Sequence, residues 1–181
     1  MTKGEKMEFT IRVVSEDQLD GIDDFYNEII DYLTQTRNYP GWQKGIHPTR
    51  AEAVEAAREG AFYVAEAGGD LCGTMIMNHT AEAGFAEAHW QVDAPTDKVC
   101  VIHSLAVHPA YMRKGLGRQF VAYALDTAKK QGAKEVRLSI LKGNTPAVRL
   151  YETSGFFYVA TVSLGYEEIG LPWFDLYEKT L

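Results

Sequence analysis

The stretch SLAVHPAYMRKGLGRQF, residues 104–120, passes from an apolar segment through a proline and two glycines into an amphipathic segment. The apolar part is typical of a buried strand, and the residues after Gly115 repeat at helical spacing. A strand that leads through a glycine-rich turn into a helix brings unpaired backbone N–H groups and the positive end of the helix dipole together. Because the turn carries Arg113, Lys114 and Arg118, we predict an anion-binding site, although a plain connection with solvated cations fits the same spacing.

A second motif follows about thirty residues later, in LKGNTPAVRLYETSGF, residues 141–156. Asn144 can cap a helix, Pro146 suits its first turn and Gly155 ends it. In this order, the two motifs resemble the GCN5-related N-acetyltransferase (GNAT) family, which has a [QR]xxGx[GA] loop and then a helix of the form Nxx[AS]xxxYxxxGF. The second motif matches at each position of that pattern, whereas the first departs at Met112, where the family usually has Gln or Arg.

The resemblance implies an α/β (α+β) fold in one domain over residues 1–181, with a mixed, mostly antiparallel sheet that is splayed at the acetyl-CoA site and flanked by helices. The hydrophobic pattern of the chain predicts the same order of elements. These elements are a strand (9–14), two helices (about 19–33 and 49–60), a hairpin (61–80), a strand (98–109), a helix (116–132), a strand (134–141), a helix (144–155) and two closing strands (within 156–164 and 172–181). The polar, acidic stretch 81–97 gives no clear prediction.

The resemblance also implies acetyl-CoA as co-substrate and assigns residues to it. They lie on the strand, in the glycine turn or at the start of the helix of the second motif: Leu105, Ala106, Val107, Met112, Arg113, Lys114, Gly115, Leu116, Gly117, Arg118, Asn144 and Ala147. The backbone of Leu105 to Val107 is expected to hold the pantetheine arm, and a backbone N–H near Leu105 to stabilise the oxyanion. Met112 removes a side-chain donor but leaves the backbone donors, so we expect binding to persist.

Two residues are the candidates for catalysis. Spacing alone favours a core position for Tyr151, but the motif match makes it the group that donates a hydrogen bond to the departing thiolate. Full proton transfer is uphill, because a phenol has a pKa near ~10 and a thiol near ~8.5. His103 lies two residues before Leu105 and is a candidate base for the acceptor amine, although a histidine satisfied within the sheet or facing the opposite side fits equally well. The rival bases are a water chain and four acidic residues: Glu82, Glu87, Asp93 and Asp97.

The acceptor is expected to be the primary amine of a small molecule or peptide, attacked directly without an acyl-enzyme. Its pocket is predicted from aromatic residues on loops, chiefly Tyr39, Trp42 and Trp90, with further candidates in His47, His89 and Trp173. Two alternatives stay open: a transferase of another short acyl group or with a hydroxyl acceptor, and a non-catalytic domain that binds or senses acyl-CoA.

Composition narrows the remaining classes of function. Lys+Arg 18 against Asp+Glu 25 gives a net charge of -7, which disfavours a nucleic-acid partner. The start MTKGEKMEFT has no apolar signal segment, no membrane span is apparent, and the expected location is the cytoplasm. Cys72 and Cys100 lie in apolar runs without metal-ligand spacing, so we expect buried thiols and no metal. A homodimer formed through the closing strands is a further expectation.

Overall fold

The computed structural model describes residues 7–181, so part of the stretch predicted to lack a signal segment, residues 1–6, lies outside the described residues. The elements follow the predicted order. They are β1 (Thr10–Val13), α1 (Ile22–Gln35), α2 (Arg50–Arg58), β2 (Phe62–Ala67), β3 (Asp70–Asn78), β4 (Val99–Val107), α3 (Leu116–Lys130), β5 (Glu135–Leu141), α4 (Thr145–Thr153), β6 (Phe157–Val162) and β7 (Phe174–Thr180). The stretch 81–97, for which the pattern gave no prediction, is mostly irregular, with short 3-10 turns at Ala83–Glu87 and Thr96–Lys98.

The seven strands form one sheet in the order β1-β2-β3-β4-β5-β7-β6. Only β4 and β5 run parallel, and every other neighbouring pair is antiparallel. The parallel pairing extends from Val99 opposite Glu135 to Ile102 opposite Leu138 and then stops, although both strands continue. The sheet therefore opens in its centre, and the predicted mixed, splayed sheet is confirmed.

A bulge in β4 accompanies this opening. The register with β3 shifts between Thr74 and Ile76, and Ser104 has a φ of 49°, a left-handed value that a non-glycine residue rarely adopts. The bulge turns the second half of β4 away from β5.

Helices cover both faces of the sheet because alternate residues of each strand point to opposite sides. The apolar stripe of α1, with α2, packs on the face that carries Phe62 and Val64. The apolar stripe of α3 packs on the other face with Val136 and Leu138. No helix within residues 7–181 is long and apolar enough to cross a bilayer.

Candidate functional site

A cavity of about 1890 Å³ opens where β4 and β5 separate. Its lining divides into two regions. The cofactor half consists of the cavity-lining residues on the second part of β4, in the glycine turn and on α4: Leu105, Ala106, Val107, Met112, Arg113, Gly115, Leu116, Gly117, Arg118, Asn144, Ala147, Arg149 and Tyr151. The acceptor half consists of the lining residues on the loop before α2, on α2 itself and around the start of the opening: Arg37, Tyr39, Trp42, His47, Glu52, Glu55, Glu59, Asn78, Thr80, Glu82, His103, Ser104, Ser139, Tyr166 and Glu168.

The glycine turn of the cofactor half presents a row of backbone N–H groups. Arg113 and Gly115 have φ values of 61° and 85°, which turn the chain sharply before α3 begins. Within the described residues, the N–H groups of residues 113–118 donate to no carbonyl, and the first helical bond runs from Gln119 N to Gly115 O at 3.1 Å. Free amides at a helix N-terminus, with Arg113 and Arg118 beside them, form a site for an anionic group.

The close packing of α3 on α4 explains why position 117, the second glycine of the turn, has no side chain. A Cβ on Gly117 would lie 3.3 Å from Leu150 Cδ2, which is tighter than ordinary van der Waals contact. Asn144 caps α4, since its Oδ1 accepts a hydrogen bond from Ala147 N at 3.3 Å. The capped helix and the packed glycine together set the position of the next turn of α4, where Tyr151 lies.

Tyr151 lies at the boundary of the two halves. Its side chain is buried, with its ring edge-on to Phe156 at 5.4 Å, and it still lines the cavity. Burial raises the pKa of its hydroxyl above the ordinary value, so the group stays protonated. Among the described residues the hydroxyl has no hydrogen-bond partner, which leaves its proton available to a bound molecule.

His103 lies where β4 and β5 stop pairing. Its Nε2 is 3.1 Å from Asn78 Oδ1 and 3.1 Å from Thr80 O. Both of these oxygens are acceptors, so Nε2 carries the proton and Nδ1 has the lone pair. Burial lowers the pKa of the imidazole, which favours the neutral form near neutral pH.

Glu82 connects two distant parts of the acceptor half. Its Oε1 accepts a hydrogen bond from the Tyr166 hydroxyl at 3.1 Å, and its Oε2 accepts one from Ser139 Oγ at 3.3 Å. Burial raises the pKa of this carboxyl, and the two hydrogen bonds only partly offset that effect. A half-buried carboxylate held by neutral donors can take one further partner, such as an ammonium group.

The loop before α2 brings an imidazole and a carboxylate to the same region. Asn38 fixes the loop, since its side chain donates to Trp42 O at 2.8 Å and accepts from Trp42 N at 3.0 Å. The Trp42 ring then stands edge-on to His47 at 6.0 Å. His47 Nδ1 lies 2.8 Å from Glu52 Oε1, and His47 Nε2 lies 3.3 Å from Ser104 Oγ.

Comparison with known proteins identifies the chain. Residues 22–156 match the model of the Acetyltransferase (GNAT) family. The chain belongs to this family. The GNAT resemblance drawn from residues 104–120 and 141–156 is therefore confirmed.

Two curated relatives that are named as acetyltransferases show how far sequence similarity extends. Streptothricin acetyltransferase of Streptomyces lavendulae is 27% identical over 113 residues, which is 62% of this chain and 52% of that protein. L-methionine sulfoximine/L-methionine sulfone acetyltransferase of Salmonella typhimurium is 34% identical over 79 residues, which is 42% of this chain and 44% of that protein. The chain thus spans about half the length of these curated relatives.

Solved GNAT structures share the whole fold. The similarity to a GNAT acetyltransferase of Streptococcus agalactiae has a TM-score of 0.79 at 18% identity and covers 96% of this chain and 95% of that one. The yncA protein of Salmonella typhimurium, solved with its cofactor acetyl-CoA, has a TM-score of 0.68 at 19% identity, with 96% and 94% covered. At these identities the similarity shows the GNAT fold alone.

Several residues predicted for the GNAT site do not line the cavity. Lys114 extends over the Tyr111 ring, with Nζ 5.1 Å from its centroid. Trp90 packs on Phe85 at 5.4 Å and under the Arg137 guanidinium at 4.2 Å, so it covers the far part of the sheet. The other predicted site residues that do not line the cavity are Glu87, His89, Asp93, Asp97 and Trp173.

The structure also brings in residues that the sequence analysis did not assign. Ser139, Tyr166 and Arg149 line the cavity, and Glu52 pairs with His47. Only Ser139 carried a readable signal, since in EVRLSIL it lies on the face opposite the buried Val136, Leu138 and Ile140, just past the last residue paired with β4. Within residues 7–181, no group of three or more His, Cys, Asp or Glu is arranged to hold a metal ion.

Proposed function

We propose that this protein is an acetyl-CoA-dependent N-acetyltransferase that moves the acetyl group to a primary amine by direct attack. One observation carries the proposal: a single cavity joins free backbone amides at the start of α3 to a carboxylate-lined region, through the opening between β4 and β5. A two-substrate reaction needs such a connection, because donor and acceptor have to meet at one point.

The cofactor half supports the donor assignment. The amides of residues 113–118 suit the pyrophosphate, and Arg113, Arg118 and Arg149 line the same region and can neutralise it. Beyond Ile102, β4 has no partner in β5, so the backbone of Leu105 to Val107 is free on that side to bind the amides of the pantetheine arm. The thioester would then lie near His103 and Tyr151, where the two halves meet.

The role proposed for Tyr151 follows from the protonated state of its hydroxyl. As the C–S bond breaks, negative charge develops on sulfur, and a hydrogen bond from the tyrosine stabilises it. The raised pKa makes complete proton transfer still less favourable than for a free phenol. We therefore assign Tyr151 the donation of a hydrogen bond, and the thiolate receives its proton from the attacking nitrogen.

The acceptor half supports an amine. The carboxylates that line it are Glu52, Glu55, Glu59, Glu82 and Glu168. The arginine in the lining of this half is Arg37, whose guanidinium lies over the Tyr39 ring at 4.5 Å. This excess of negative charge favours a cationic acceptor over an anionic one. Tyr39 and Trp42 remain the proposed aromatic contacts, and the amine of either a small molecule or a peptide fits the proposal.

The attacking amine has to lose a proton, because an alkylammonium is mostly charged at neutral pH. His103 stays a candidate for this step, with Nδ1 as the accepting atom, since Nε2 is committed to Asn78 and Thr80. Glu82 is a second candidate, and its raised pKa brings it closer to the working range of a base.

The proposal is tested by measuring release of free CoA thiol with a panel of amines at saturating acetyl-CoA. We expect acceptor-dependent turnover with cationic primary amines and little with carboxylic acids or alcohols. Calorimetric titration in parallel gives the affinity for acetyl-CoA. Binding without acceptor-dependent turnover would instead support a sensing domain, and no binding at millimolar acetyl-CoA would contradict both.

A further inference from the structure

The carboxylate of Glu52 fixes the orientation of the His47 imidazole through a hydrogen bond to Nδ1. Glu52 lies in the first turn of α2, and its Oε2 accepts hydrogen bonds from Thr49 N at 2.7 Å and Thr49 Oγ1 at 2.9 Å. Its other oxygen faces His47 Nδ1 at 2.8 Å. Burial opposes ionisation of Glu52, but the hydrogen bonds from His47 and Thr49 outweigh it, so the pKa of this carboxyl is lowered and the carboxylate persists.

This arrangement determines which nitrogen of His47 can accept a proton. An ionised carboxylate only accepts hydrogen bonds, so Nδ1 of His47 donates, and in the neutral imidazole Nε2 carries the lone pair. That lone pair is 3.3 Å from Ser104 Oγ. Ser104 is the left-handed residue at the bulge of β4, directly before the Leu105 to Val107 backbone proposed to hold the pantetheine arm. The basic atom of His47 is thus directed toward the strand where the thioester is expected.

The other titratable groups near His47 lack its combination of a basic nitrogen with a carboxylate bound to the opposite side of the ring. Glu52 from α2 pairs with His47, and Glu82 after β3 and His103 from β4 lie near enough to interact with it electrostatically. Tyr166, from the β6–β7 connection, donates to Glu82. The Nδ1 of His103 could also accept a proton, but the protonated Nε2 of that ring points at two carbonyl oxygens and not at a carboxylate, and both oxygens of Glu82 already accept hydrogen bonds. His47 combines a lone pair directed at Ser104 Oγ, a carboxylate on its other nitrogen and a partly exposed ring, which allows proton release to water.

We propose that His47 is the base that deprotonates the acceptor amine and that Glu52 is its positioning residue; this rests on the acetyl transfer proposed above. An N–H bond of the bound ammonium breaks and its proton passes to Nε2, directly or across the Ser104 hydroxyl, which gives up one proton as it takes another. The Glu52 carboxylate stabilises the imidazolium. The neutral amine then forms a C–N bond to the thioester carbon, the C–S bond breaks, and the thiolate takes the second proton of the nitrogen. His47 returns its proton to water.

The test compares rates across pH for two substitutions in the pair and a matched control. His47→Gln removes the basic nitrogen, and we expect kcat/KM for the best amine of the panel to fall about 10²-fold or more at pH 7. The loss should shrink as pH rises, because solvent then supplies neutral amine. It should also be smaller for a fluorinated analogue of that amine whose ammonium is more acidic.

Glu52→Gln is the conservative second variant. Glutamine at the third position of α2 keeps the capping box with Thr49, so the fold should survive while the charge is lost. We expect the acidic limb of the rate profile to move to lower pH and the maximal rate to drop about tenfold. Glu28→Gln is the control, since it breaks a surface pair with His108 of the same length, 2.8 Å, whose members do not line the cavity.

Each result separates this inference from the proposed function. A wild-type enzyme that turns over while His47→Gln keeps its rate and its acidic limb would overturn the role of His47 and leave acetyl transfer intact. Loss of the acidic limb in His103→Gln instead would also overturn it. An acetyl group found on Ser104 by mass spectrometry would make the serine a nucleophile and likewise overturn it. A wild-type protein that binds acetyl-CoA without any turnover would overturn both proposals.

Discussion

The two halves of the cavity are built in different ways. The cofactor half uses mainly backbone groups from one continuous stretch, residues 105–118, and a helix that begins at Thr145. The acceptor half uses side chains from separate segments, such as His47 before α2, Glu82 after β3 and Tyr166 between β6 and β7. A backbone site tolerates changes of side chain, whereas a side-chain site depends on each residue. The same fold can therefore keep one donor while its acceptor varies.

The strongest test of this division lies at the boundary, at Tyr151. Replacing it with phenylalanine removes only the hydroxyl that faces the cavity, so we expect kcat to fall about 10²-fold or more while the Kd for acetyl-CoA is unchanged. Steady-state kinetics and calorimetry measure the two quantities. Tyr123→Phe, which alters a tyrosine on α3 packed against Tyr63, is the control. An unchanged kcat would remove the Tyr151 hydroxyl from the mechanism.

The backbone character of the cofactor half is tested next, at Gly115. With a φ of 85°, this position strains any residue with a Cβ, and a shift of the turn would misalign the amides of residues 113–118. We expect Gly115→Ala to raise the Kd for acetyl-CoA roughly tenfold. Gly132→Ala places the same strain at the other end of α3, at a φ of 75°, and should destabilise the fold without weakening binding. Equal Kd values for both variants would contradict the assignment of the turn.

The contrast between the halves also explains what the sequence could predict. Residues 104–120 and 141–156 each hold a complete local unit, a strand or loop leading into a helix, so together they carried the GNAT resemblance that implied the cofactor half and the fold. Glu82 and Ser139 are far apart in the chain and meet only because β5 lies beside the opening of the sheet. Trp90 shows the converse: an exposed-looking loop aromatic packs on Arg137, because a buried guanidinium favours an aromatic face.

The charge of the acceptor half is tested at Glu82. Glutamine has nearly the same shape but no negative charge, and one of the two hydroxyls then accepts from its amide instead of donating. We expect Glu82→Gln to raise KM for a cationic amine about fivefold, with the Kd for acetyl-CoA unchanged. Glu87→Gln, in the same segment but outside the cavity lining, is the control. Equal KM values in Glu82→Gln and the wild type would show that this carboxylate does not contact the amine.

The smallest expected effect concerns His103 and is one of stability. Burial lowers its pKa in the folded state, whereas the unfolded chain binds a proton near the ordinary value of about 6.5. As pH falls below about 6.5, the unfolded state takes up a proton that the folded state resists, so His103 makes folding less favourable in acid.

His103→Gln can still donate to Asn78 and Thr80 but lacks this titration. The Tm of the wild type should therefore fall further than that of the variant between pH 7.5 and pH 5. A shift of about 2–4 °C corresponds to 1 kcal/mol in a chain of this size, which calorimetry resolves. Parallel decreases in the two proteins would mean that the imidazole takes up its proton equally in both states, and the assignment of a neutral, half-buried His103 would then be wrong.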